Sequence, residues 1–167
     1  MKFKYLFLAL ILLLATVLRF YQLGHNPPSL DWDEASIGYN AYSLLKTGAD
    51  EYGNKLPLAI RSFDDYKPPV YIYLTVPAIA IFGLSEWSIR LPAALTGIGL
   101  VAAVYFLVIG YLKKRNVALL AAFFVAISPW SLQFSRAAFE ANAGILFFIL
   151  GVALFRKNLI WSAIALV

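Results

Sequence analysis

Three carboxylates crowd into the stretch LDWDEASIGYNAYS, residues 30–43: Asp31, Asp33 and Glu34. A carboxylate at a partly desolvated interface accepts a proton from a hydroxyl as that hydroxyl attacks, so the cluster holds a candidate general base. Clustered carboxylates also suit a divalent cation bound by oxygen ligands. Local structure offers a plainer use. Asp31 and Glu34 have the spacing of a helix capping box, and Asp33 complements the helix dipole in the first turn. That use accounts for Asp31 and Glu34 better than for Asp33, which is left as the candidate base.

A second constellation is SFDDYKPP, residues 62–69. Lys67 stands just before an apolar segment, at the depth of a lipid phosphate. The plainer reading is an interfacial lysine marking a helix start, with the Pro68-Pro69 pair fixing the backbone. Asp64 and Asp65 either bind metal or pair with Lys67 and Arg61. A third is SRAAFE, residues 135–140. Arg136 and Glu140 are four apart and on one helix would share a face and pair. A fourth, SEWSIR at residues 85–90, reads as an anchor, with Trp87 interfacial and Arg90 a flank; no chemistry is assigned to it. Gly-rich phosphate loops, zinc motifs and a Ser-His-Asp arrangement are absent, so nucleotide binding is not supported.

The elements that must position these residues belong to a membrane protein. Of 167 residues, 62% are hydrophobic and 14% charged, against roughly 45–50% and about 25% in soluble domains. Cysteine is absent and His25 is the single histidine, which excludes disulfides, thiolate sites and His-rich metal clusters. The net charge of +5 does not point to nucleic acid, because the basic residues flank apolar runs, where topology signals lie.

The apolar segments are about 3–23, 69–84, 90–112, 117–134 and 139–155, with a further run over 159–167 that stops short of a span. The first looks like an uncleaved transmembrane helix, with Arg19 snorkelling to the headgroups. Lys2 and Lys4, Lys113-Lys114-Arg115, and Arg156-Lys157 all fall on the cytoplasmic side only if segment 69–84, short and interrupted by Pro77, does not span. Residues 24–89 then form an extracytoplasmic loop with helices over about 32–46 and 69–83, and residues 131–140 a second external patch. The first loop helix should lie on the membrane surface, its apolar face made by Ile37, Ala41, Leu44 and Leu45. Thr47-Gly48 stops it, and residues 48–62 read as irregular.

In order along the chain, WDEASIGYNAY, DYKPPVYIYL, FGLSEWSIRLPAAL and SPWSLQFSRAAFE resemble the N-terminal part of a GT-C-type membrane glycosyltransferase. The nearest group is the protein O-mannosyltransferases and aminoarabinose transferases of glycosyltransferase family 39. The resemblance implies that Asp33 is the catalytic base and that Lys67 contacts the phosphate of a polyprenyl-phosphate sugar. Aminoarabinose transferases carry an acid just before that lysine; here the position is Tyr66, with Asp65 one step earlier, which leaves the metal unknown. Relatives often have an Asp in the second external patch, where Arg136 and Glu140 are the nearest candidates. Family members run to several hundred residues, so this chain is expected to be a piece, inactive alone.

The expected fold is therefore all-α, a polytopic transmembrane helical protein with an extracytoplasmic juxtamembrane helical loop. The expected home is the plasma membrane of a prokaryote, with the N-terminus cytoplasmic and the site outside. The expected reaction is inverting transfer of a hexose or pentose to an acceptor hydroxyl on a protein, lipid or polysaccharide. Asp33 acts as base, Lys67 and Arg136 bind the donor phosphate, and Glu34, Asp65 and Glu140 support them, with a divalent cation as a possible cofactor and membrane lipids as surroundings. The rival is a non-catalytic transporter segment or lipid-binding scaffold. A transporter carries ionisable groups deep in its spans, whereas these charges gather at helix ends and in loops.

Overall fold

A computed structural model describes residues 5–63, 65–155 and 158–166. Among them lie eight helices and one two-stranded hairpin: α1 (Leu6–Phe20), α2 (Trp32–Thr47), β1 (Ile60–Ser62), β2 (Asp65–Lys67), α3 (Pro69–Phe82), α4 (Glu86–Leu112), α5 (Arg115–Ile127), α6 (Pro129–Arg136), α7 (Glu140–Phe155) and α8 (Leu159–Leu166). Lys2, Lys4, Asp64, Arg156 and Lys157 lie outside the described residues. The chain divides into two compact units.

The first unit comprises Met1–Tyr21, Ala94–Ser135 and Ala141–Val167. Leu8 and Ala15 of α1, Val101 and Tyr105 of α4, and Ala118, Ala122 and Ala126 of α5 form its buried core. Alanines four apart give α5 a smooth stripe on which α1 packs closely, the usual device for helices that meet without large side chains. Within the described residues, α4 is the one helix long and apolar enough to cross a membrane by itself; α5 and α6 qualify together, bent by 55°. The segment expected as one span over 117–134 is thus broken. Pro129 has no N–H for the Val125 carbonyl, and it holds Ser128 in extended backbone, ψ 123°.

Arg19 answers that break instead of snorkelling. It is completely buried. Its Nη1 donates to the Ala126 carbonyl at 3.2 Å and the Ala15 carbonyl at 3.3 Å, and its Nη2 to Ser131 Oγ at 3.0 Å. The expectation of a headgroup-facing arginine fails because helix carbonyls orphaned near Pro129 offer the guanidinium partners inside the protein.

The second unit comprises Gln22–Ala93 and Arg136–Glu140. α2 starts with a complete capping box: Glu34 N donates to Asp31 Oδ1 at 2.8 Å and Asp31 N to Glu34 Oε2 at 3.3 Å. It ends at Gly48, whose φ of 72° is left-handed and favours glycine. Ile37, Ala41 and Leu44 are buried, and α2 packs against α3, where Tyr71, Ile72, Thr75, Ala78 and Ile79 are buried. The face expected to rest on lipid is therefore occupied by protein, with Leu45 left exposed. Pro69 opens α3 at the position where a missing N–H costs nothing.

The stretch expected to be irregular contains order. Asp50 organises a turn by accepting from Tyr52 N, Asn54 N and Asn54 Nδ2 at 2.8–3.0 Å. β1 and β2 pair antiparallel with Ile60 opposite Lys67, Arg61 opposite Tyr66 and Ser62 opposite Asp65. The strands have three residues each, too short for alternation to register as a sequence pattern. Among the described residues the fold is thus helical with one hairpin, and the hairpin delivers Lys67.

Candidate functional site

The site lies in the second unit, where the start of α2 and the end of β2 present opposite charges. Lys67 Nζ is 3.0 Å from Asp33 Oδ1 and 3.2 Å from Asp65 Oδ2. The side chains are 11% exposed for Lys67, 28% for Asp33 and 72% for Asp65. Lys67 is thus nearly covered, Asp33 lies at the boundary, and Asp65 faces solvent. Burial pulls the Lys67 pKa down, but the hydrogen bonds it donates to Asp33 and Asp65 and the charges of Asp33 and Glu140 outweigh it, leaving it above the ordinary value. The ammonium is therefore held charged. The Asp65 carboxyl is held below the usual carboxylate range by the Tyr66 amide and by Lys67.

Asp33 and Glu34 are neighbours with opposite fates. The Glu34 carboxylate accepts from Arg90 Nε at 2.8 Å and the Ala138 amide at 2.9 Å on Oε1. On Oε2 it accepts from Arg90 Nη2 at 3.0 Å and the Asp31 amide at 3.3 Å. These contacts use the acceptor capacity of a carboxylate. Arg90 spends its remaining donors on the carbonyls of Leu23 (3.2 Å), Pro27 (2.9 Å) and Ser29 (2.9 Å), so all of its N–H groups are used. Both side chains are buried. Glu34 is therefore a tie between chain segments, its two oxygens taken up by these four contacts. The side chain of Asp33, one residue earlier in the same first turn, points instead to Lys67.

Arg90, expected as a flank, is instead the buried partner of Glu34. Its partner lies 56 residues away in sequence, so no local spacing marks the pair. Tyr71 reinforces the same region: its hydroxyl donates to the Ile89 carbonyl at 3.0 Å and accepts from the Ala93 amide at 3.1 Å.

Of the remaining expected site residues, Glu140 acts on Lys67 through its charge. Arg136 donates through Nη2 to the Asn26 carbonyl at 2.9 Å. Arg136 and Glu140 are expected on one helix, whereas Arg136 ends α6 and Glu140 begins α7. Among the described residues no three His, Cys, Asp or Glu side chains converge to hold a metal. Asp33 and Asp65 converge on a lysine, a donor set that does not fit a divalent ion. Ser62, directly opposite Asp65, is buried with a hydroxyl that has no hydrogen-bond partner among the described residues.

Residues 9–161 match the family described as dolichyl-phosphate-mannose-protein mannosyltransferase. An uncharacterized protein of Aquifex aeolicus (strain VF5) is 35% identical over 138 residues, 80% of this chain and 32% of that protein. The Bacillus subtilis (strain 168) protein named "Putative mannosyltransferase YkcB" is 34% identical over 84 residues, 50% of this chain and 12% of that protein. The chain therefore spans a third or less of the length of these relatives. No solved structure matches the chain significantly.

Proposed function

The chain belongs to the dolichyl-phosphate-mannose-protein mannosyltransferase family, and from that premise we propose that the full protein is an integral membrane glycosyltransferase with its site on the extracytoplasmic face. The donor is a sugar on a polyprenyl phosphate; the family description points to mannose as the sugar and a protein as the acceptor. The observation that carries the reading is the 3.0 Å contact between Asp33 and Lys67, which sets a candidate base beside a cation suited to a phosphate.

In the proposed step the acceptor hydroxyl donates its hydrogen bond to Asp33. Its oxygen attacks the anomeric carbon while the proton passes to the Asp33 carboxylate. The bond between that carbon and the lipid phosphate oxygen breaks, and its electron pair leaves on the phosphate. The Lys67 ammonium, raised in pKa and therefore protonated, meets the charge that develops there. Attack in line with the leaving group inverts the anomeric centre. Glu34 takes no part in proton transfer and holds the first turn of α2 in place through Arg90. Arg136 is a second cation of the same unit on the same proposed face, and no step is routed through a metal.

The test is full-length protein in liposomes given labelled polyprenyl-phosphate mannose and a serine- or threonine-containing peptide. Transfer of label with inversion at the anomeric carbon, read by NMR, is expected. Donor that binds and is recovered intact, with no product, would instead establish a lipid-binding scaffold.

A further inference from the structure

Lys67 in this structure already carries two anions. Asp33 and Asp65 both contact its ammonium, at 3.0 and 3.2 Å, and the lysine side chain is only 11% exposed. One cation and two carboxylates leave this cluster with a net negative charge, and Glu140 adds a further anion within electrostatic range. A lipid phosphate meets repulsion there and finds the ammonium covered. Two of the three N–H donors of the ammonium are turned to carboxylates, so Lys67 engages a phosphate fully only when one carboxylate leaves. Asp33 is three-quarters covered and fixed in the first turn of α2, whereas Asp65 is 72% exposed on a short hairpin. The Asp65 carboxylate stands in water, where an ion pair is weakly held, and its other contact is the amide of its neighbour Tyr66, so Asp65 is the one that yields.

The hairpin register supplies the place to which it moves. Ser62 and Asp65 are directly opposite in an antiparallel pair, so their side chains stand on the same face. Residues so paired have Cβ atoms about 4.5–5.5 Å apart, within reach of a carboxylate and a hydroxyl. Ser62 Oγ is buried and has no hydrogen-bond partner among the described residues. A buried hydroxyl without a partner is costly and requires a reason. An aspartate that leaves Lys67 by turning about its own χ1 supplies one.

We propose that Asp65 is a displaceable stand-in for the donor phosphate on Lys67, and that the Ser62 hydroxyl receives the Asp65 carboxylate when the phosphate arrives. This rests on the reading that Lys67 binds the donor phosphate. Asp65 then screens the empty site and sets the threshold for lipid binding, while Ser62 lowers the cost of opening it. The two hydrogen-bonded states of one side chain form the switch.

The experiment is calorimetric titration of the full-length protein, in detergent, with a polyprenyl monophosphate. Wild type is compared with Asp65→Asn, Ser62→Ala, the double variant and Lys67→Met, with thermal unfolding followed for each. Asp65→Asn is expected to tighten binding by about 2- to 5-fold, the scale of one exposed ion pair. Ser62→Ala is expected to weaken it by a similar factor, and only when Asp65 is present. Binding unchanged or weakened in Asp65→Asn would overturn the displacement, as would a Ser62→Ala effect of the same size in both backgrounds. Lys67→Met binding the lipid as wild type does would instead remove Lys67 from the phosphate site, a separate failure that the other variants cannot produce.

Discussion

Glu34 and Arg90 form a bidentate ion pair inside the second unit, with Nε–Oε1 at 2.8 Å and Nη2–Oε2 at 3.0 Å. The pair decides which of two adjacent acids is available. Glu34 is consumed by Arg90, its own capping box and the Ala138 amide, so Asp33 alone of the two can face a substrate. The same pair fastens the 23–29 segment, the start of α2 and the start of α4 to one another.

Removing one partner of that pair leaves an unmatched buried charge. Arg90→Met is expected to destabilise the protein by about 3–5 kcal/mol. Denaturant unfolding in detergent measures this directly, and a loss below about 1 kcal/mol would show that the pair does not hold the unit together.

Lys67 is expected to act on the departing phosphate more than on the fold. Lys67→Met should lower kcat by about 100- to 1,000-fold, the usual cost of removing one transition-state donor. Lys67→Arg keeps the charge and should recover part of that loss. Equal activity of the two variants would show that charge at this position is not used.

The ion pairs of Lys67 also carry a pH signature. Its pKa in the folded chain is raised above the ordinary 10.5, so its contribution to stability is complete below that value and vanishes as pH rises through the raised folded-state value. The stability difference between wild type and Lys67→Met should therefore be flat from neutral pH to about 10 and change only above it. Thermal unfolding across pH 7 to 12 checks the sign.

Two glycines of α4 separate packing from propensity. A Cβ at Gly97 would stand 2.5 Å from Ser135 Cβ and 2.7 Å from Arg19 Nε, whereas nothing lies within 4 Å of one at Gly110. Gly97→Ala should cost about 1–3 kcal/mol by overpacking. Gly110→Ala should be neutral or stabilise by up to about 1 kcal/mol, as alanine does in a helix. Unfolding of the two single variants compares them.

Features built from local spacing were legible before the structure. The capping box of Asp31 and Glu34, the Gly48 stop and the proline start of α3 each depend on residues a few positions apart. Asp33 and Lys67 could be singled out one at a time, but their contact depends on a hairpin of three-residue strands that no periodicity announces. Arg90 and Arg19 carry no local signal for the same reason. Each side chain finds its partners far along the chain, Arg90 on Glu34 and Arg19 on the Val125–Ala126 carbonyls. Flanking position suggested anchors, whereas tertiary contacts made both into buried ties.

In the proposed reaction Asp33 takes the acceptor proton, and Asp33→Asn in the full-length protein tests this most directly. The amide keeps the size of the side chain and removes the base. Transfer from polyprenyl-phosphate mannose should fall by about 100- to 10,000-fold, while the variant still folds and binds polyprenyl monophosphate at least as tightly, one anion having left Lys67. Transfer within a few-fold of wild type would contradict the account.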